Sequence, residues 1–129
     1  MDIRQKTDTL TVDGKTWTIT CNFNVLADVQ EQYGGNLVAA LTDASKRPMR
    51  TALTFAAAMV NDAAEAAGEA VRYTPAELGR KLPTAMPGLF ADRIMALVWA
   101  ALDLPEKRED AEAKPGGPEG EPKADPEGN

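Results

Sequence analysis

The dipeptide Asp13-Gly14, set between two short stretches of alternating apolar and polar residues, constrains the fold of this chain more than any other feature. A two-residue hairpin loop requires backbone conformations with positive φ, and Asp-Gly tolerates them well. The sequence therefore predicts an N-terminal β-hairpin that is closed by this loop. In the resulting register, Val12 pairs with Lys15, Leu10 with Trp17 and Asp8 with Ile19.

The predicted hairpin has two chemically different faces, because paired residues lie on the same side of a sheet. One face is apolar and the other carries threonines. The apolar face holds Leu10, Val12, Trp17, Ile19 and Cys21, and the opposite face holds Thr9, Thr11, Thr16, Thr18 and Thr20. Two strands alone are only marginally stable in water, so later elements must cover the apolar face.

Those later elements are predicted to be helices. The first follows Asn22-Phe23-Asn24, in which either asparagine can serve as the N-cap, and it ends at Gly34-Gly35. A short second helix follows Asn36, a further capping residue. Its inward-facing residues are predicted to be Leu37, Val38 and Leu41.

The remaining helices each have a proline near the start, where the missing N–H group costs nothing. An alanine-rich third helix is predicted over residues 48–68. Thr74-Pro75-Ala76-Glu77 forms a capping box for a fourth helix, which Pro83 ends. The last helix begins near Met86-Pro87-Gly88 and is predicted to continue to Leu104.

Residues 105–129 have a different composition from the rest of the chain. They contain eight acidic and four basic residues, five prolines and four glycines, and no apolar side chain larger than alanine. Such a segment cannot bury enough surface to offset its ordering entropy. We therefore predict an α+β protein with one domain, residues 1–104, in which an N-terminal β-hairpin packs against a bundle of four to five helices. A disordered acidic tail, residues 105–129, follows it.

The residues available for catalysis are few. The chain has no histidine, which removes the usual general base near neutral pH and the commonest metal ligand. Cys21 lies on the apolar face of the hairpin and is expected to pack as a small hydrophobe, and ligands for structural zinc are lacking. We therefore expect no enzymatic activity, no cofactor and no metal site.

Two carboxylate pairs share helix faces, namely Asp28 with Glu31 and Glu65 with Glu69. Paired carboxylates suit hydrolytic or metal chemistry when they are buried together. The sequence places no second pair where it is expected to converge on either of these. We therefore interpret both pairs as solvated helix faces.

Charge and hydropathy argue against nucleic-acid and membrane binding. A small basic cluster consists of Lys46, Arg47 and Arg50. Three basic residues are too few to bind the phosphates of nucleic acid well in a chain with a formal net charge of −6. The longest apolar run, residues 94–102, is about half the length of a membrane-spanning helix. No secretory signal is expected after residues 1–4, and a lone cysteine suits a reducing compartment.

The order of motifs along residues 8–82 is more informative than any one of them. The motifs are Val12-Asp13-Gly14-Lys15, Trp17-Thr18-Ile19, Phe23-Asn24, the acidic helical stretch 26–31, Tyr33-Gly34-Gly35, a leucine-rich second helix, an alanine-rich third and a Thr-Pro-x-Glu-Leu entry to a fourth. This order resembles the tail assembly chaperones of long-tailed bacteriophages and the related small proteins of gene transfer agents. The long Pro/Gly-rich tail departs from that pattern.

The resemblance implies a non-enzymatic chaperone that binds the helical tape-measure protein, keeps it soluble and helps to recruit tail-tube protein. It also implies a location in the host bacterial cytoplasm during assembly and absence from the mature particle, and it leaves formation of a homo-oligomer open. The alternative is a structural head–tail connector or tail accessory subunit of the virion. A host acidic adaptor unrelated to phage is a third hypothesis.

Apolar helix faces are the features that remain for binding a partner. A domain of about 100 residues buries only around two-thirds of its unfolded-chain surface, so some large apolar side chains can remain accessible. The same helical spacing is typical of core residues, which is their commoner role. The residues predicted to bind a partner are Phe55, Met59, Phe90, Met95 and Trp99.

Overall fold

The computed structural model describes residues 6–85 and 87–102, which form a β-hairpin followed by five helices. The elements are β1 (Asp8–Val12), β2 (Lys15–Ile19), α1 (Phe23–Gln32), α2 (Leu37–Lys46), α3 (Pro48–Ala66), α4 (Pro75–Lys81) and α5 (Pro87–Ala101). The predicted α+β class and element order are confirmed. The predicted tail, residues 105–129, and the predicted end of the last helix at Leu104 lie outside the described residues.

The hairpin has the predicted register along its whole length. Asp13 and Gly14 have φ values of 54° and 77°, the pattern of a type I′ turn, whose twist matches that of the flanking strands. Val12, Trp17 and Ile19 are buried, whereas the threonines of the opposite face are exposed along both strands. The hairpin therefore packs through one face, as its alternating sequence predicts.

Local capping chemistry sets where the helices begin. The side chain of Asn22 accepts a hydrogen bond from the Val25 N–H at 3.0 Å, so Asn22, rather than Asn24, is the N-cap of α1. Asn36 caps α2 in the same way. Thr74 and Glu77 form the predicted capping box of α4. Each cap satisfies backbone donors that the first helical turn leaves without a partner.

Helix α3 is the centre of the molecule, because it contacts the other four helices and β2. Small side chains along α3 let these neighbours approach closely. The fully buried residues on it include Ala52, Phe55, Ala56, Met59, Val60 and Ala64. The hairpin covers one side of this helix, and the other helices cover the rest.

One inward-facing residue of α2 was predicted wrongly. Val38 is 69% exposed, whereas Ala40 of the same helix is fully buried. Successive residues of an α-helix are about 100° apart, so Val38 lies well away from the face that Leu37 and Leu41 share. The correct inward stripe follows the i, i+3, i+4 spacing that begins at Leu37.

Candidate partner-binding groove

A groove of about 250 Å³ lies between α1 and α3, and we call it the α1–α3 groove. Each helix contributes residues with i, i+3, i+4 and i+7 spacing, which places them on one helix face. The lining residues are Asn24, Ala27, Asp28 and Glu31 of α1, Ala58, Asn61, Asp62 and Glu65 of α3, and Arg72 of the following loop. Ala27 gives the groove an exposed apolar surface between polar side chains, whereas Ala58 is only 2% exposed.

Hydrogen bonds to Asp62 hold the start of α1 against α3. Asn22 Nδ2 donates to Asp62 Oδ2 at 2.7 Å, and Asn24 Nδ2 donates to Asp62 Oδ1 at 3.2 Å. The same Asn22 side chain caps α1 through its oxygen. This wall of the groove is therefore fixed by the residues that also begin the helix.

The second wall is completed by the loop after α3, which Asn61 holds in place. Asn61 is buried, its Nδ2 donates to the Tyr73 carbonyl at 2.8 Å, and its Oδ1 accepts from the Tyr73 N–H at 2.7 Å. This pairing satisfies both backbone groups of a loop residue with one side chain. It also brings the neighbouring Arg72 to the end of the groove.

The groove is strongly acidic. Its lining includes four carboxylates and one guanidinium, which gives a formal charge of −4 + 1 = −3. The guanidinium compensates little of this charge, because Arg72 Nη2 lies 3.9 Å from Asp28 Oδ1 and the Arg72 side chain is mostly exposed. The groove therefore attracts cationic groups.

An exposed phenylalanine precedes the groove-lining residues of α1. Phe23, the first residue of α1, is 87% exposed, and it lies one helical turn before Ala27 on the same side of the helix. The core residues of α1, Val25 and Val29, point in another direction. The aromatic ring of Phe23 is therefore not packed in the hydrophobic core and stays accessible to a partner.

The two carboxylate pairs, expected not to converge, share a groove only in part. Asp28 and Glu31 of α1 and Glu65 of α3 line the same groove, together with Asp62. Only Glu69 lies elsewhere, where it forms an ion pair with Lys15 of the hairpin. Within the part of the chain that the structure describes, no group of three or more potential ligands is arranged to hold a metal ion.

The five residues predicted to bind a partner occupy two different environments. Phe55, Met59 and Met95 are buried in the core. Phe90 and Trp99 on α5 are half-buried and pack against that core. None of the five lines the α1–α3 groove. The signals that point to the groove instead are the two polar i, i+3, i+4, i+7 sets and a phenylalanine outside the apolar stripe of α1.

Cys21 packs as predicted. It is buried behind the hairpin, and burial raises the pKa of its thiol to about 12. A thiol in such an environment stays protonated near neutral pH and is a poor nucleophile. Its contribution is to packing.

None of the helices in residues 6–85 and 87–102 combines the length and the apolar character of a membrane-spanning segment. Comparison of the chain with protein-family models, with curated proteins and with solved structures finds no match in any of the three.

Proposed function

We propose that this chain is a non-enzymatic phage tail assembly chaperone that binds the tape-measure protein. The α1–α3 groove, together with the exposed Phe23, is the proposed binding site. The observation that carries this proposal is an acidic groove with little internal charge compensation, together with an aromatic side chain that the fold leaves exposed one helical turn before Ala27. The family resemblance adds support, because two of its motifs, Phe23-Asn24 and residues 26–31, supply the α1 residues that line this groove, namely Asn24, Ala27, Asp28 and Glu31.

The chemistry of the groove favours a helical segment that carries lysine or arginine beside apolar residues. The aliphatic stem of such a side chain can cover the exposed Ala27, while its charged end reaches the surrounding carboxylates. Phe23 can serve as an aromatic anchor for the apolar side of the same segment. This combination gives a helix-in-groove contact.

The proposed partner explains why such a contact is useful. A tape-measure protein is a long helical chain with apolar stripes that aggregate unless they are covered. A small domain that covers one apolar stripe at a time keeps the tape-measure protein soluble in the host cytoplasm, while tail-tube protein assembles around the tape-measure protein. Because the contact is largely electrostatic and close to the surface, it can be released when the tube replaces it.

Co-expression with a tape-measure protein of a long-tailed phage tests the proposal. We expect the wild-type chain to raise the soluble yield of that protein and to co-purify with it. Phe23→Ala and the double variant Asp28→Asn/Glu31→Gln should each co-purify with about tenfold less of the tape-measure protein than the wild type does, since each variant removes an interaction of the proposed site. Leu89→Ala and Asp92→Asn are matched controls, because both residues are exposed on α5.

Three outcomes contradict parts of the proposal. If the soluble yield does not rise and nothing co-purifies, the chain is not a chaperone of that protein. If the chain is a stoichiometric component of purified particles, the structural connector or accessory subunit is the better assignment. If the α5 control variants lose binding as strongly as the groove variants, the α1–α3 groove is not the binding site.

A further inference from the structure

The two edges of the hairpin differ in how their backbone groups are satisfied. In a hairpin with a two-residue loop, the residues that flank the loop form a hydrogen-bonded pair, and pairs alternate from there. Given the observed register, the N–H and C=O groups of Thr9 and Thr11 point outward from β1. Those of Thr16 and Thr18 point outward from β2. Each strand therefore presents an edge on which another strand could pair.

The edge of β1 is blocked at its start. The Thr9 N–H donates to Asp8 Oδ1 at 2.8 Å, and Arg93 Nη2 donates to the Thr9 carbonyl at 3.1 Å. Arg93 also binds the Asp8 carboxylate through Nε and Nη2, at 2.8 and 2.6 Å. A side chain from α5 thus occupies the position that an added strand would need.

The edge of β2 is open. Within residues 6–85 and 87–102, the outward N–H and C=O groups of Thr16 and Thr18 have no hydrogen-bond partner, and both residues are exposed. Lys15, at the start of the strand, is the one charged residue of β2, and it is engaged by Glu69. This edge has no inward-pointing charge and no proline, the usual devices that protect an edge strand.

We propose that β2 pairs antiparallel with β2 of a second copy of this chain, about a two-fold axis that passes beside Trp17. In this register Thr16 lies opposite Thr18 of the second copy, and all the outward backbone groups of both strands are satisfied. Lys15 lies opposite Ile19 of the second copy, so no like charges meet. The edge is therefore complementary to itself, as an isologous interface requires.

The blocked edge of β1 explains why pairing stops at two copies. The combined sheet has the order β1-β2-β2-β1, so both of its outer edges are β1 strands, on which Asp8 and Arg93 occupy the outward backbone groups of Thr9 and leave only those of Thr11 open. A dimer forms, and a continuous sheet does not. The interface lies on the hairpin and does not depend on the proposed tape-measure partner.

Charge substitutions on the threonine face test this pairing. Thr16→Lys/Thr18→Lys places lysine opposite lysine across the two-fold axis, whereas Thr16→Lys/Thr18→Glu places lysine opposite glutamate. Thr11→Lys is the control on the blocked strand, since Thr11 pairs with Thr16 within the hairpin and their hydroxyls hydrogen-bond in the wild type. Circular dichroism checks that each variant is folded.

Sedimentation velocity of the full chain, from micromolar to millimolar concentration, should show a monomer–dimer equilibrium. The double-lysine variant should dimerise about tenfold more weakly, and the lysine–glutamate variant and Thr11→Lys should resemble the wild type. The Thr16 and Thr18 amide protons should become protected from exchange only as dimer forms. A monomeric wild type, equal dimerisation of all variants, or protection of these amides in the monomer would each overturn the proposal.

Discussion

At the scale of single residues, Asp43 shows how one side chain joins successive segments. Its carboxylate accepts hydrogen bonds from Arg47 Nε and from the Tyr33 hydroxyl, both at 2.9 Å. The Arg47 hydrogen bond, and then that of Tyr33, hold the pKa of Asp43 below its ordinary value of 3.8. The end of α1 and the junction between α2 and α3 are thereby held together.

Asp43→Asn should lower the free energy of unfolding near neutral pH. The free energy of unfolding of this variant should also change less than that of the wild type as the pH is lowered. A carboxyl group whose pKa is lowered by folding contributes stability above its unfolded pKa, and that contribution is lost as the pH falls through the folded pKa. The difference between variant and wild type should therefore shrink below pH 3.8. Urea unfolding of both proteins between about pH 7 and about pH 2 measures this difference in the free energy of unfolding.

Asp92→Asn is the control for this experiment, because Asp92 is exposed on α5. It should unfold like the wild type at every pH. A difference between Asp43→Asn and wild type that stays constant down to about pH 2 would show that the ionised carboxylate is not the source of the stability.

At the scale of elements, the Asp13-Gly14 turn is the clearest case of local sequence setting structure. Gly14 has a φ of 77°, and the space around it is open. Gly14→Ala should therefore destabilise the protein by about 1–2 kcal/mol through backbone strain alone. Gly88→Ala, at an open position without positive φ, should leave stability unchanged or raise it by about 0.5–1 kcal/mol. Urea unfolding of both variants compares them, and equal effects would contradict this account of the turn.

The elements that the sequence predicted correctly are those whose structure is determined by residues close together in sequence. The hairpin register follows from one dipeptide, and the starts of α2 and α4 follow from Asn36 and Thr74. The exposure of Val38 was predictable in the same way, because this residue lies off the i, i+3, i+4 stripe that begins at Leu37. Contacts between distant residues also fix the start of α1, because Asn22 and Asn24 both donate to Asp62, far along the chain.

At the scale of the whole molecule, two phenylalanines on neighbouring helices have opposite roles. Phe55 is fully buried on α3, and Phe23 is 87% exposed on α1. Phe55→Ala should cost about 3–5 kcal/mol because it leaves a cavity at the centre of the fold. Phe23→Ala should change stability by less than about 0.5 kcal/mol. Thermal unfolding distinguishes them, and a Phe23→Ala loss comparable to that of Phe55→Ala would show that Phe23 belongs to the core.

The α1–α3 groove was not predictable from sequence, although its parts were visible there. The sequence spacing places Asp28 and Glu31 on one helix face and Glu65 on another. Their convergence requires α1 to pack beside α3, which depends on contacts such as Asn24 with Asp62 between residues that are distant in sequence. The apolar residues predicted to bind a partner were chosen by helical spacing, which cannot separate a core stripe from a surface stripe.

The most direct test of the account is to map where a partner binds. The isotope-labelled full chain is titrated with the tail-protein segment that co-purifies with it, and the backbone amide shifts are followed by NMR. The account predicts that the largest changes occur at Phe23, at Asp28 and Glu31 of α1, and near Glu65 of α3, and that they weaken as salt is added. Changes centred on Phe90 and Trp99 of α5, with the α1–α3 groove unaffected, would contradict it.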